Sequence, residues 1–200
     1  MAKFYKFPQG AVEHLSKRDK KLGRAMAEIG PIKAAVQSDP FKSLASSIVS
    51  QQISGRAAES IWNRLEAALG GVSPESVLAA ADEKIRACGM SARKTEYLRG
   101  AAEAVECGAL DFPKLKKADD ALLIERLTQL RGVGTWTAEM LLIFTFGRHN
   151  ILSFDDLGIR HGLMRLHSLE AISKKDFEKY RELYSPYGTV ASLYLWRIAG

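Results

Sequence analysis

The segment from residue 119 to residue 146 constrains the fold more than any other part of the chain. Leucines recur at helical spacing up to Leu130, and Gly132 and Gly134 then flank a single apolar residue, Val133. Glycine adopts backbone conformations that other residues avoid, so two glycines this close permit a tight turn with exposed amides. Apolar residues then return at helical spacing. The sequence therefore predicts two helices joined by a glycine hairpin.

The start of the second helix is a candidate anion site. We expect Thr135 to cap this helix, whose apolar residues Ala138, Leu141 and Leu142 share one face. The first N–H groups of a helix have no intrahelical acceptor and lie at the positive end of its dipole. A phosphate oxygen suits both properties. The alternative is a corner between two helices that serves packing alone.

Two adjacent acids, Asp155 and Asp156, follow the second helix, directly before the sequence Leu-Gly-Ile-Arg. Acids at such a position are ordinarily a helix N-cap and a first-turn acid. Their position also returns a carboxylate towards the hairpin. One short segment thus links a candidate anion site with a candidate catalytic acid.

In this order, the hairpin and the acid pair resemble the helix-hairpin-helix, Gly/Pro-Asp superfamily of DNA glycosylases. The stretch Gly134-Thr135-Trp136-Thr137-Ala138 is similar to the hairpin of the 3-methyladenine DNA glycosylase II branch. The resemblance extends over roughly residues 40–200. It fits the compact form of the family, because the preceding residues are too few for the α/β domain that some members carry there.

The resemblance implies that Asp156, the second acid, is the catalytic residue, and it leaves a structural role to Asp155. Cleavage of an N-glycosidic bond builds oxocarbenium character on the deoxyribose. A carboxylate beneath the sugar stabilises that charge and can position or deprotonate a water molecule.

The resemblance also assigns ligands to the hairpin. Its expected DNA contacts are Gly132, Val133, Gly134, Thr135 and Thr137. A monovalent cation, Na+ or K+, is a further expectation, held by the backbone carbonyls of Thr128, Leu130 and Val133. No other cofactor is expected.

The segment that contains Gln51, Gln52 and Ser54 matches the loop that family members insert into DNA. Two glutamines at the end of an apolar helix are costly to bury, so we expect them to face outwards. An enzyme that acts on a stacked base must extrude it and fill the gap. The resemblance puts Gln52 in that gap, with Ser54 as the second choice. A glutamine pair that caps two packed helices is the structural alternative.

Four residues are expected around the extruded base and its sugar: Trp136, Trp196, Met140 and Tyr187. Members that also cut the strand carry a lysine at the position of Trp136, because a Schiff base needs an amine. The tryptophan therefore indicates a monofunctional enzyme. The ring face of Trp196 would attract a cationic N-alkylated purine, and a core position is the alternative for both tryptophans.

The amino-acid composition agrees with the interpretation of the chain as a DNA glycosylase. With 200 residues, 46% of them hydrophobic, the chain can bury a core. Its net charge of +6 and pI near 9.3 suit a polyanion such as duplex DNA. Cys88 and Cys107 lack the spacing of an iron–sulfur cluster or a disulfide framework. Neither a signal segment nor a run of ~20 apolar residues occurs, so we expect a cytoplasmic protein, nucleoid-associated if bacterial, with no membrane partner.

Helical patterns dominate and no convincing alternating strand occurs, so the predicted fold is all-α with two helical lobes and a DNA-binding cleft between them. We expect one compact unit of residues 1–200. The terminal segments form one lobe, roughly residues 42–118 form the other, and the helix-hairpin-helix spans 119–146. Helices are predicted at roughly 19–29, 40–53, 55–69, 74–88, 91–107, 119–130, 135–146, 156–167, 173–184 and 188–199.

Together these features predict a monomeric, monofunctional DNA glycosylase. It would hydrolyse the bond between deoxyribose and an alkylated purine, of the 3-methyladenine or 7-methylguanine type, in base excision repair. A glycosylase for etheno, deaminated or oxidised purines and a non-catalytic DNA-binding module are the alternatives.

Overall fold

The computed structural model describes residues 3–200, which form thirteen α-helices and two short strands. The prediction of an all-α fold is confirmed. Strands β1 (Lys3–Phe4) and β2 (Ala35–Val36) pair antiparallel, with Lys3 opposite Val36. The helices are α1 (Ala11–Arg18), α2 (Lys20–Ile29), α3 (Pro40–Ser50), α4 (Gly55–Leu69), α5 (Pro74–Ala79), α6 (Asp82–Ala87), α7 (Ala92–Glu106), α8 (Phe112–Leu115), α9 (Asp120–Thr128), α10 (Thr135–Phe144), α11 (Leu157–His167), α12 (Lys174–Tyr184) and α13 (Gly188–Ala199).

The predicted helix 74–88 was wrong as a single element. Ala80 and Ala81 are extended and separate α5 from α6. This break allows Val77 on α5 and Ile85 on α6 both to be completely buried. Packing therefore overrides the high helix propensity of the two alanines. Helices α1 and α8 and the small sheet were not predicted.

The chain divides into two compact units. One contains the residues up to Val36 and Leu142–Gly200, and the other contains Gln37–Leu141. None of the helices formed by residues 3–200 is both long enough and apolar enough to cross a membrane.

In the first unit, α11 and α13 pack directly against each other. A side chain at Gly162 on α11 would overlap with the backbone of Leu195 on α13, so glycine is required for this close approach. The segment before α11 is fastened to α13 as well. Ile151 N–H donates to Thr189 Oγ1 over 3.0 Å, and Ser192 Oγ donates to Ile151 O over 2.8 Å. These contacts fix the start of α11.

In the second unit, α3, α4 and α7 pack around a leucine-rich core, and α5 packs against α7. Leu123 and Leu127 on α9 are completely buried, as the leucine periodicity predicts. Asp119 caps α9 by accepting the Leu122 N–H over 2.8 Å. The chain then turns through residues 129–134 into α10, so the predicted pair of helices joined by a hairpin is present.

Candidate active site

The carboxylate of Asp156 is buried and oriented by two hydrogen bonds. As the N-cap of α11, it accepts the Ile159 N–H at Oδ1 over 2.8 Å. The same oxygen accepts Trp196 Nε1–H over 2.8 Å. Only 7% of the residue is exposed. The two donors come from α11 and α13, so the packing of these helices sets the plane of the carboxylate.

The indole of Trp196 is itself held from two sides. Phe144 stacks on it with ring centroids 5.7 Å apart and planes at 24°. A Cβ at Gly158 would lie 2.7 Å from Trp196 Cδ1 and 3.2 Å from Asp156 Oδ1. The absence of a side chain at Gly158 therefore admits the indole to the start of α11. Asp155, by contrast, is exposed.

The remaining expected pocket residues lie on two elements. Trp136 is the second residue of α10 and is 42% exposed, which is unusual for a tryptophan in an apolar helix. Met140 lies one turn further along and is partly buried. Tyr187 immediately precedes α13, and its ring contacts His14 edge-to-face with centroids 5.2 Å apart. A place for Tyr187 beside a base stays a prediction.

The hairpin backbone forms a short turn closed by two hydrogen bonds. Val133 N–H donates to Leu130 O over 3.1 Å, and Ala138 N–H donates to Gly134 O over 3.1 Å. Thr135 is therefore the first residue of α10, and the Gly134 carbonyl accepts the first helical bond, which corrects the prediction that Thr135 is the cap. Gly134 and Thr135 are exposed, whereas the side chains of Val133 and Thr137 are buried.

Gly132 is required by both conformation and space. Its φ of 82° lies in the left-handed region, and a Cβ there would overlap with the ring of Tyr97 from α7. Among the expected DNA contacts in the hairpin, Gly132 thus has a structural role as well. Gly134 differs, because a Cβ at that position would meet no atom within 4 Å.

The residues of the expected inserted loop have three different environments. Gln51 Nε2 donates to the carbonyl of Gly132 over 2.7 Å, so its side chain contacts the hairpin. Gln52 is exposed and has a φ of 56°. Ser54 caps α4 through an Oγ that accepts the Ala57 N–H over 3.3 Å. Gln52 and Ser54 are thus both exposed, whereas Gln51 is partly buried.

A cation at the hairpin stays a prediction that the backbone permits. The proposed ligands are the carbonyls of Thr128, Leu130 and Val133. Leu130 O already accepts the Val133 N–H, but a carbonyl oxygen carries a second lone pair. The bond within the turn is therefore compatible with a bound Na+ or K+.

Three residues near these elements were not identified from the sequence. Tyr97 lies against Gly132, Phe144 stacks on Trp196, and Lys94 Nζ donates to Val49 O over 2.7 Å. Burial lowers the pKa of Lys94. No local pattern marks these residues, because each acts on a partner that is distant in sequence or on another element.

Comparison with known proteins places these features in a family. Residues 45–186 match the HhH-GPD superfamily of base excision DNA repair proteins. The chain belongs to this superfamily. A DNA-3-methyladenine glycosylase of Schizosaccharomyces pombe is 36% identical over 192 residues, which cover 92% of this chain and 84% of the relative.

Solved structures of the superfamily have the same fold. A DNA-3-methyladenine glycosidase from Bacillus halodurans is similar over 99% of this chain and 93% of its own, with 38% identity and a TM-score of 0.89. The Schizosaccharomyces pombe 3-methyladenine DNA glycosylase in complex with abasic DNA is similar over 94% of this chain and 96% of its own, with 36% identity and a TM-score of 0.84.

Proposed function

We propose that this chain is a monofunctional DNA glycosylase that hydrolyses the N-glycosidic bond of alkylated purines, of the 3-methyladenine and 7-methylguanine type, in duplex DNA. The observation that carries the proposal is the buried carboxylate of Asp156, oriented by Ile159 and Trp196. Two relatives named for 3-methyladenine release, each about a third identical to the chain, support the substrate class.

The reaction breaks the bond between C1′ and the purine nitrogen, and the electron pair leaves with the base. An N-alkylated purine carries a positive charge before cleavage and departs neutral, so it needs little help from a general acid. The carboxylate of Asp156 stabilises the positive charge that develops on the sugar. It then accepts a proton from the water that adds to C1′. The products are the free base and an abasic site.

Binding of DNA is assigned to the hairpin and the start of α10. The exposed backbone at Gly134 and Thr135 presents amides to a phosphate at the positive end of the helix dipole. The excess of basic residues, +6 overall, favours association with the polyanion. The partner is duplex DNA with a damaged base, the protein acts as a monomer, and no cofactor takes part in the hydrolysis.

The tryptophan at position 136 supports the monofunctional assignment. A strand-cutting member needs an amine to form a Schiff base with the sugar, and an indole cannot supply one. Borohydride treatment during turnover should therefore trap no covalent adduct between protein and DNA. A trapped adduct would contradict the assignment.

The decisive experiment measures release of 3-methyladenine and 7-methylguanine from methylated duplex DNA by the native chain and by Asp156→Asn at equal DNA occupancy. We expect release by the native chain and a loss of at least about 100-fold in the variant, because charge stabilisation is the main contribution to this reaction. Equal release by both proteins would exclude Asp156 as the catalytic residue.

Absence of release by the native chain would contradict the alkylpurine assignment. The same assay on duplexes with etheno, deaminated or oxidised purines then identifies the lesion by its released base. DNA binding without release from any lesion would indicate a binding module.

A further inference from the structure

Helix α7 contacts both segments to which DNA contacts are assigned. Towards the hairpin, the ring of Tyr97 covers Gly132, and Glu96 forms an ion pair with Arg131. Towards the end of α3, Lys94 Nζ donates to Val49 O, two residues before Gln51. Residues 51–54 are called the wedge loop below. Helix α7 therefore supports the hairpin and the start of the wedge loop together.

A direct hydrogen bond also joins the two segments. The carboxamide of Gln51, in the wedge loop, donates to the carbonyl of Gly132, in the hairpin, over 2.7 Å. Gln51 is partly buried, and its neighbour Gln52 is exposed. The side chain that was expected to contact DNA thus forms a hydrogen bond to the hairpin at a partly exposed position, and it restrains the backbone directly before Gln52.

The backbone at Gln52 shows why such a restraint matters. Its φ of 56° lies in the left-handed region, which residues with a side chain seldom adopt. Such a conformation persists when the surroundings determine it. Here the Lys94–Val49 and Gln51–Gly132 bonds hold the chain on the N-terminal side of Gln52, and on the other side Ser54 caps α4.

We propose that Gln51 and Tyr97 are positioning residues that couple the hairpin to the wedge loop. When the hairpin binds the DNA backbone, the Gln51–Gly132 bond places Gln52 in the register needed to fill the gap left by an extruded base. The inference rests on the proposed function for its biological meaning. Neither residue touches the reacting atoms, so the effect of each is on base extrusion and not on bond cleavage.

This role separates extrusion from binding and from chemistry. Removing the Gln51 bond leaves the hairpin amides and Asp156 in place, so affinity for DNA and the cleavage step are retained. The variant loses the fixed position of Gln52, the residue proposed to stabilise the unstacked duplex. The loss is therefore large when the target base is paired and small when it has no pairing partner.

The first test measures DNA distortion without any base release. The native chain binds a duplex that contains a tetrahydrofuran abasic analogue with 2-aminopurine in the opposite strand at that site, and unstacking raises the 2-aminopurine fluorescence. We expect Gln51→Leu to bind this duplex within about 3-fold of the native affinity, with less than half of the native fluorescence rise. A full rise in Gln51→Leu, or no rise with the native chain, would overturn the proposal. This readout does not depend on glycosylase activity, so failure of the proposed function is recognised separately.

Tyr97 supplies the matched control. Tyr97→Phe keeps the ring over Gly132 and removes only the hydroxyl that accepts from Arg93 Nε, so we expect a native fluorescence rise. Tyr97→Leu removes the ring and should behave like Gln51→Leu. Similar defects in Tyr97→Phe and Tyr97→Leu would contradict a positioning role of the Tyr97 ring.

Two further measurements distinguish coupling from a general structural role. In the double variant Gln51→Leu/Gln52→Ala, the defect should equal that of Gln52→Ala alone, because Gln51 acts through Gln52. Single-turnover release of 7-methylguanine should fall by about 10-fold or more opposite cytosine and by less than about 3-fold opposite an abasic analogue. Additive defects, or equal slowing on both substrates, would refute the coupling.

Discussion

Two buried aspartates, Asp156 and Asp19, have the same local role as helix N-caps but differ in their other contacts. Each caps the N-terminus of a helix, and each is at most 7% exposed. Each also accepts a hydrogen bond from an aromatic side chain of a distant helix. The donors are Trp196 Nε1–H for Asp156, over 2.8 Å, and the Tyr184 hydroxyl for Asp19, over 2.7 Å.

The difference lies in how the partners are distributed over the two oxygens. At Asp19, Oδ1 accepts two backbone N–H groups of α2, while Oδ2 accepts from Tyr184 and lies 3.1 Å from His167 Nε2. At Asp156, the Ile159 and Trp196 donors both end on Oδ1. The partners of Asp19 therefore connect α2 with α11 and α12, whereas these two donors to Asp156 connect the start of α11 with α13 and orient the carboxylate. The contacts of Asp19 suit a role in stability, and Asp156 is the proposed catalytic residue.

The largest effect on stability is expected for Asp19→Asn. Burial opposes ionisation of this carboxyl, but hydrogen bonds from His167, Tyr184 and the Leu22 amide outweigh it and hold its pKa at about 2. Relative to an ordinary pKa of ~3.9, this corresponds to about 2 to 3 kcal/mol of stability at neutral pH. We expect the variant to lose about this much free energy of unfolding in urea denaturation at pH 7.

The pH dependence provides the control for this prediction. Because the pKa of Asp19 is lowered on folding, its contribution is present above pH ~4 and is lost as the pH falls towards about 2. The difference between native chain and variant should shrink over that window. A difference that is independent of pH would show that the ionised carboxylate is not the stabilising species.

The next largest effect is expected for Trp196→Phe, which should lower activity. Phenylalanine keeps the aromatic face and the stack on Phe144 but removes the Nε1–H bond to Asp156 Oδ1. We expect single-turnover release of 7-methylguanine to slow by about 10-fold, equivalent to about 1.4 kcal/mol, with DNA affinity unchanged. If release stays at the native rate, the indole N–H does not position the carboxylate. A loss confined to DNA affinity would instead indicate contact of the ring with the base.

The fold was predictable where local signals agree. Helix α9 begins beside a capping Asp119, shows buried leucines at helical spacing and ends before glycines, and the sequence gives each of these signals directly. Helix α1 was not predicted, because its N-cap Gly10 supplies no side-chain cap. The paired strands contain only two residues each, too few for an alternating pattern.

The sequence provided candidate residues for the site but not the contacts between them. Asp156 and the hairpin glycines lie close together in sequence and carry a motif. By contrast, the bond from Trp196 to Asp156 joins residues 40 positions apart, and the bond from Gln51 to Gly132 joins residues 81 apart. Tertiary packing determines both pairs, so a single sequence contains no periodicity that reveals them. The sequence therefore did not reveal that Gln51 contacts the hairpin, and its contact with DNA stays a prediction.

The smallest effect on stability is expected for Asp156→Asn. This variant therefore tests whether the two buried aspartates differ in their contribution to the free energy of unfolding. Asparagine is as good an N-cap as aspartate, and its side-chain oxygen can accept from both Ile159 N–H and Trp196 Nε1–H. We expect the free energy of unfolding to change by less than about 1 kcal/mol, because both hydrogen bonds persist. Urea denaturation of Asp156→Asn and Asp19→Asn at pH 7 checks this.

The activity of the two variants should follow the reverse order, with Asp19→Asn retaining native single-turnover release. A strongly destabilised Asp156→Asn would mean that the carboxylate of Asp156, like that of Asp19, contributes to stability, and the variant's loss of activity would then no longer report on catalysis.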